Sequence, residues 1–146
     1  MNNVSAFDGD DPDRLAGERF RRWSERYAEE EPLLPTPGWW PWPLQEVSHR
    51  DGDPDTGMVA VDLLPQHDRV DPEAVLVRQP RGEPPFDYGW PGAAWHPEDD
   101  PELIVRAQQW DDGPWRWILF VRGDPLPAEA LRRVQASIEW RPAWAL

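Results

Sequence analysis

Eleven tryptophans in 146 residues are the strongest constraint on how this chain can fold. Each indole has a large apolar surface and one N–H group that needs a hydrogen-bond partner, so such rings fill cores or anchor interfaces. The chain has no cysteine, which excludes disulfides, thiolate metal sites and cysteine nucleophiles. It also has no lysine, so its long cationic side chains are guanidinium groups, which can stack on indole.

The length suits one domain, which we expect to span residues 11–146. Residues 1–10 are polar and acidic without periodicity, and we expect them to form a disordered tail. The first residues have no basic segment followed by an apolar one, and no run of apolar residues approaches the length of a membrane span. These features predict a cytoplasmic protein without membrane contact.

The formal net charge is -13, and most of the excess acid lies before residue 101. An acidic body repels phosphate backbones, which argues against direct nucleic-acid binding. The same charge could attract a basic partner, imitate a nucleic acid, or serve solubility alone. A neutral C-terminal third on an acidic body would also suit self-association, so a homodimer remains open.

Two segments show helical patterns. In the first, Asp11, Pro12 and Asp13 favour a helix start, and Pro32 ends the segment. Its apolar stripe consists of Ala16, Phe20, Trp23 and Tyr27. The second helix follows prolines 125 and 127, and its apolar stripe consists of Leu131, Val134 and Ile138.

Between the helices, residues 32–57 predict a proline- and tryptophan-rich arm followed by an acidic loop. The arm carries Trp39, Trp40 and Trp42, which cannot all remain in water cheaply. It therefore either straps across a sheet as a lid on the core or is held for a partner. A second long loop, rich in proline and glycine, is predicted at 80–101.

Residues 58–64 and 73–79 are rich in β-branched side chains and predict two strands. Residues 103–110 and 115–122 flank an Asp-Gly turn and predict a hairpin in which Trp110 lies opposite Trp115. The predicted fold class is α+β, with a mainly antiparallel four-stranded sheet between an N-terminal and a C-terminal helix.

One face of this hairpin would combine aromatic, polar and cationic side chains, whereas the other would face the core. The residues of the first face are Arg106, Gln108, Trp110, Trp115 and Trp117. Tryptophan and arginine are enriched among interface hot spots, so this face and the arm tryptophans are candidate partner-binding residues. Alternatively, the arm or the last helix covers the face and makes it a second core layer.

The sequence contains no motif that names a reaction or a cofactor. Asp51, Asp53 and Asp55 alternate as in a calcium loop, but the glycine and glutamate of such a loop are missing, which favours an acidic turn. The three histidines show no metal-ligand spacing. An enzyme or small-ligand binder would need a tryptophan-lined pocket with polar groups, for which the candidates are Trp90, Trp95, His96 and Asp99.

The leading hypothesis is a small acidic protein-binding module that inhibits, neutralises, chaperones or adapts another protein. Acidic loops would steer a basic partner, and the hairpin and arm tryptophans would anchor it. The alternatives are a nucleic-acid mimic that inhibits a DNA-binding protein, and an enzyme or ligand binder without a known cofactor.

Overall fold

A computed structural model describes residues 32–84 and 105–146, together with the helical positions Glu18, Arg21 and Glu25. These ranges contain eight strands and one helix, numbered here in chain order. The strands are β1 (Leu34–Pro37), β2 (Leu44–Asp53), β3 (Met58–Pro65), β4 (Ala74–Pro80), β5 (Val105–Asp112), β6 (Trp115–Arg122), β7 (Ile138–Arg141) and β8 (Trp144–Ala145). The helix α1 (Ala128–Ser137) lies between β6 and β7.

The strands form a large antiparallel sheet and a small one. The large sheet has six strands in the order β5-β6-β4-β3-β2-β8, and the small sheet pairs β1 with β7. All of these pairs are antiparallel. Consecutive strands β2, β3 and β4 are neighbours, and the β5-β6 hairpin docks on β4 through β6.

The predicted four-stranded α+β fold is therefore wrong, because residues 32–84 and 105–146 form a mostly β structure with two sheets and one helix. Residues 34–37 of the predicted arm form β1, in which two prolines are accommodated because the sheet has only two strands. Most of the predicted acidic loop forms β2, whose last residue precedes a tight turn that ends at Gly57. Strands β3 and β4 lie where the sequence predicted them, and helix α1 does so up to Ser137, whereas Ile138 of its predicted stripe begins β7.

The hairpin also forms, but its register differs from the prediction. Asp112 pairs with Trp115 across a loop of Gly113 and Pro114, so Trp110 lies opposite Trp117. Gly113 has a φ of 59°, and a glycine first in a two-residue loop is typical of type II′ turns. The shift moves each partner by two residues, which keeps every side chain on its predicted face because side chains alternate along a strand.

The larger core cluster lies on the hairpin face that the sequence indicated as aromatic and cationic. Here Trp117, Leu119 and Val121 of β6 pack in one cluster with Leu34 of β1 and Val134 of α1. A smaller cluster on the opposite face includes Val75, Val77 and Ile118. The small sheet and α1 thus cover the face that bears the hairpin tryptophans.

Several predictions fall outside the described residues: the tail at 1–10, most of the N-terminal helix, including its apolar stripe, and most of the loop at 80–101. The pocket candidates Trp90, Trp95, His96 and Asp99 also lie there. Within the described residues, no helix has both the length and the apolar character needed to cross a membrane.

Gly38 joins β1 to the end of α1 by a close backbone approach. Its N–H donates a 2.8 Å hydrogen bond to the carbonyl oxygen of Ser137. A Cβ atom on Gly38 would lie 2.9 Å from that same oxygen, which is closer than van der Waals contact permits. The position therefore requires glycine because of space.

We expect Gly38→Ala to lower the free energy of unfolding by about 1–3 kcal/mol, because β1 or α1 must shift to admit the methyl group. Gly82→Ala is the matched control, since nothing lies within 4 Å of a Cβ there. Urea unfolding followed by circular dichroism measures both. Equal stability of the two variants would contradict the assigned close approach.

Candidate binding surface

The predicted hairpin face is largely an internal surface. Trp110 and Trp117 stack with ring centroids 6.0 Å apart and planes only 3° from parallel. Trp117 is 6% exposed and belongs to the core cluster, and Trp110 packs against it. These two rings stabilise the fold and leave little area for a partner.

Gln108 fastens the same face to the segment before α1. Its amide nitrogen donates to the carbonyl oxygen of Leu126 at 2.9 Å, and its oxygen accepts from the N–H of Leu126 at 3.0 Å. Because this pair satisfies a buried backbone unit, Gln108 has a structural role. Arg106 lies on the same face but is exposed.

Trp115 and Trp140 both make cation–π contacts with Arg78 of β4. The guanidinium carbon lies 3.7 Å from the centroid of Trp115 and 4.6 Å from that of Trp140. Its Nη2 donates a 3.0 Å hydrogen bond to the carbonyl oxygen of Gly57, and burial lowers the pKa of Arg78. Gly57 has a φ of 83° and lies under the Trp115 ring, where a Cβ would be 2.9 Å from it. These contacts join the β2-β3 turn, the hairpin and the small sheet.

The three arm tryptophans pack against the core while remaining partly exposed. Arg133 of α1 lies over Trp39, with its guanidinium carbon 4.1 Å from the ring centroid. Trp40 and Trp42 meet edge to face, with centroids 6.1 Å apart. The arm therefore lies across the sheet as a strap on the core, which is the first of the two alternatives predicted from the sequence.

An open groove of about 320 Å³, called here the tryptophan groove, runs beside the arm. Its indole walls come from Trp40, Trp42 and Trp144. The remaining lining residues are Thr36, Pro37, Gly38, Leu44 and Arg141. Trp144 reaches the groove because β8 pairs with β2, and this pairing places Trp144 opposite Val47. Sequence reasoning did not include it, since only this pairing of distant strands brings residue 144 beside the arm.

A second open groove, of about 350 Å³, shares Trp42 with the first and is called here the acidic groove. Its charged lining residues are the three aspartates Asp68, Asp71 and Asp124 and the two arginines Arg69 and Arg122. Arg122 forms an ion pair in which its Nη1 lies 3.7 Å from Oε1 of Glu73. Among the described residues these three carboxylates form no ion pair with a basic side chain. Trp42 thus separates an indole-lined groove from one with available negative charge.

The weak calcium candidates lie at the β2-β3 turn. Asp51 accepts a hydrogen bond from the N–H of Gly52 at 2.7 Å, and Asp53 accepts one from the N–H of Asp55 at 2.9 Å. These are the local bonds of acidic turns. Across the described ranges, no three His, Cys, Asp or Glu side chains converge as metal ligands would.

His49 lies in β2 opposite Val61 and is half-buried. Burial lowers its pKa from 6.5 to about 4, against the smaller raising effect of the Asp51 carboxylate. Asp62, on the neighbouring strand, has its pKa raised by burial, although a 2.9 Å ion pair with Arg50 opposes this. His49 is therefore a neutral imidazole at pH 7.

Comparisons with known family models, with curated proteins and with solved structures gave no match. The function of this chain is therefore inferred from its own side chains.

Arg78→Lys should lower the free energy of unfolding by about 1–3 kcal/mol, since an ammonium group cannot pack flat against two indoles and also reach Gly57. Arg132→Lys on the exposed side of α1 is the charge-matched control and should change little. Thermal and urea unfolding would measure both. Equal effects of the two substitutions would show that these contacts add nothing to stability.

Lowering the pH from 7 to 5 should destabilise the protein through His49. Its folded pKa of about 4 lies below the unfolded value of 6.5, so the unfolded chain takes up the proton first. The free energy of unfolding then falls with decreasing pH, by at most about 1.4 kcal/mol per unit for one proton.

The control for this pH effect is His49→Gln, whose neutral side chain cannot take up the proton. Urea titrations at several pH values should show a shallower decline for His49→Gln than for the unchanged chain. The Asp62 carboxylate acts in the opposite direction and is common to both proteins, so it cancels in the difference. Parallel curves for the two proteins would contradict the assignment.

Proposed function

We propose that this chain is a small acidic protein-binding module that recognises an extended, basic, proline-containing segment of another protein. The observation that carries the proposal is the adjacency of the two grooves at Trp42, one walled by indoles and the other by carboxylates without ion pairs among the described residues. The binding surface is thus displaced from the hairpin face to the arm.

The tryptophan groove supplies the apolar half of this recognition. Aromatic-lined grooves bind proline-rich segments, whose preformed extended conformation loses little entropy on binding. Trp40, Trp42 and Trp144 remain half-exposed, although they are anchored by the core, so they present rigid rings at low entropic cost.

The Trp40 indole also offers a hydrogen-bond donor to a bound peptide. Its Nε1 is buried and has no hydrogen-bond partner among the described residues, a state that costs about 1–3 kcal/mol. A tilt of the ring toward the groove would let a carbonyl of the bound peptide accept this hydrogen bond, so the cost would be relieved on binding.

The acidic groove supplies the charged half. Asp68, Asp71 and Asp124 line the groove that shares Trp42 with the tryptophan groove. This arrangement suits a segment in which a basic residue stands next to a proline or leucine. The net charge of -13 would steer such a segment toward the surface. It would repel nucleic-acid backbones and anionic membrane surfaces. We place this activity in the cytoplasm and propose no cofactor.

The test is a titration with the synthetic peptide Pro-Pro-Leu-Pro-Arg-Arg, followed by tryptophan emission and calorimetry. A matched peptide with two glutamates in place of the arginines should bind much more weakly, because it meets the acidic groove. Trp42→Ala should lower the affinity of the arginine peptide about thirtyfold, the loss expected for a hot-spot residue worth about 2 kcal/mol.

Trp140→Ala is the control for the loss of a structural indole, since it weakens the contact with Arg78 but removes no wall of either groove. Circular dichroism confirms folding of each variant, and Trp42→Phe replaces Trp42→Ala if the alanine variant does not fold. Equal binding of the two peptides, equal binding by the Trp42 and Trp140 variants, or no binding of the arginine peptide would overturn the proposal.

A further inference from the structure

Strand β5 is an edge of the large sheet. It pairs with β6 over its full length without a register shift, and no described strand lies on its outer side. Most of its side chains are exposed, including Arg106, Ala107 and Gln109. It has neither the bulge nor the proline by which natural edge strands avoid pairing with other chains.

The outward-pointing backbone groups of β5 follow from one hydrogen bond. The N–H of Arg122 in β6 donates to the carbonyl oxygen of Glu73, on the β4 side. Because backbone groups alternate in direction along a strand, even-numbered residues of β6 face β4 and odd-numbered residues face β5. The β5 partners of the odd-numbered residues are themselves even-numbered. The residues that point N–H and C=O outward are therefore Ala107, Gln109 and Asp111.

The charges along this edge are arranged symmetrically. Arg106 and Asp112 lie on one face of β5, each three residues from Gln109, and both are exposed. Neither forms an ion pair within the described part of the chain. Asp111, on the other face, is already held by Arg81 at 3.4 Å and Arg116 at 3.2 Å.

We propose that β5 pairs antiparallel with β5 of a second copy of this chain, on a two-fold axis through Gln109. The two Gln109 residues would exchange backbone hydrogen bonds, and Ala107 would do so with Asp111 of the second copy. Arg106 would then lie opposite Asp112 of the second copy on both sides of the axis. The two large sheets would join into one continuous sheet of twelve strands.

The charges select this register over its neighbour. Partners in an antiparallel pair must share a face, so each allowed change of register moves the two-fold axis by one residue, for example from Gln109 to Gln108. With the axis at Gln108, Arg106 would lie opposite Trp110 of the second copy, which carries no negative charge. Opposite charges stabilise directly facing pairs, whereas like charges destabilise them.

This dimer is independent of the peptide-binding proposal. β5 is one edge of the large sheet, and the tryptophan groove lies at the opposite edge, beside β8. Pairing through β5 therefore leaves the tryptophan groove open, and the dimer would present two copies of it to a bivalent partner.

Sedimentation equilibrium over a concentration series tests the dimer. We expect the mass to rise from 17.0 kDa toward twice that value at concentrations up to about 1 mM, the range that detects even a weak interface. Gln109→Pro should abolish the rise, because it removes an outward N–H while leaving the ladder with β6 intact. Gln109→Val keeps the N–H and should still dimerise.

A charge exchange tests the register. Arg106→Asp and Asp112→Arg should each weaken dimerisation about tenfold, because each creates two like-charge pairs. An equimolar mixture of the two variants restores opposite charges at both positions and should dimerise as the unchanged chain does. A monomer throughout the series, a dimer unaffected by Gln109→Pro, or a mixture no tighter than the single variants would overturn the proposal.

Discussion

The guanidinium of Arg78 contacts Trp115 of the hairpin and Trp140 of the small sheet, and these contacts tie the separate parts of the fold together. A guanidinium is planar and weakly hydrated, so it can pack against indoles while its Nη2 donates to the carbonyl of Gly57. The turn, the hairpin and the small sheet converge on one side chain. A chain rich in tryptophan and free of lysine is suited to such a joint.

The same chemistry explains how the arm is held. Its prolines prevent it from joining the large sheet, yet they permit a two-stranded pairing with β7. This pairing places Trp39 under Arg133 and brings Trp40 and Trp42 against the core. The rings cover apolar surface with one side and remain open on the other, so the residues that complete the core also line the grooves.

The tryptophan groove and the proposed dimer use opposite edges of one sheet. At the β8 edge the short terminal strand leaves a groove between indoles, and at the β5 edge a regular strand presents free backbone groups. A rigid sheet between them keeps the edges apart, which lets recognition of a peptide and self-association occur together. The acidic charge favours basic partners at the first edge, while the second depends on an arginine and an aspartate in register.

The sequence by itself determined the elements that depend on local patterns. The apolar runs predicted β3 and β4, and the stripe of Leu131 and Val134 predicted α1. The turn residues predicted the hairpin and which side chains share a face, although its loop is Gly113-Pro114 and not the predicted Asp112-Gly113. The sequence also indicated that arginine would stack on tryptophan, although Arg78 was not foreseen as the arginine involved.

Tertiary structure alone decided which hairpin face is covered, where β1, β2, β7 and β8 pair, and which tryptophans remain open. These features depend on contacts between residues far apart in the chain, such as Val47 with Trp144, that no local pattern encodes. Whether an indole is core or surface is a property of what packs over it, and for Trp117 and Trp42 this was settled only when the strands came together.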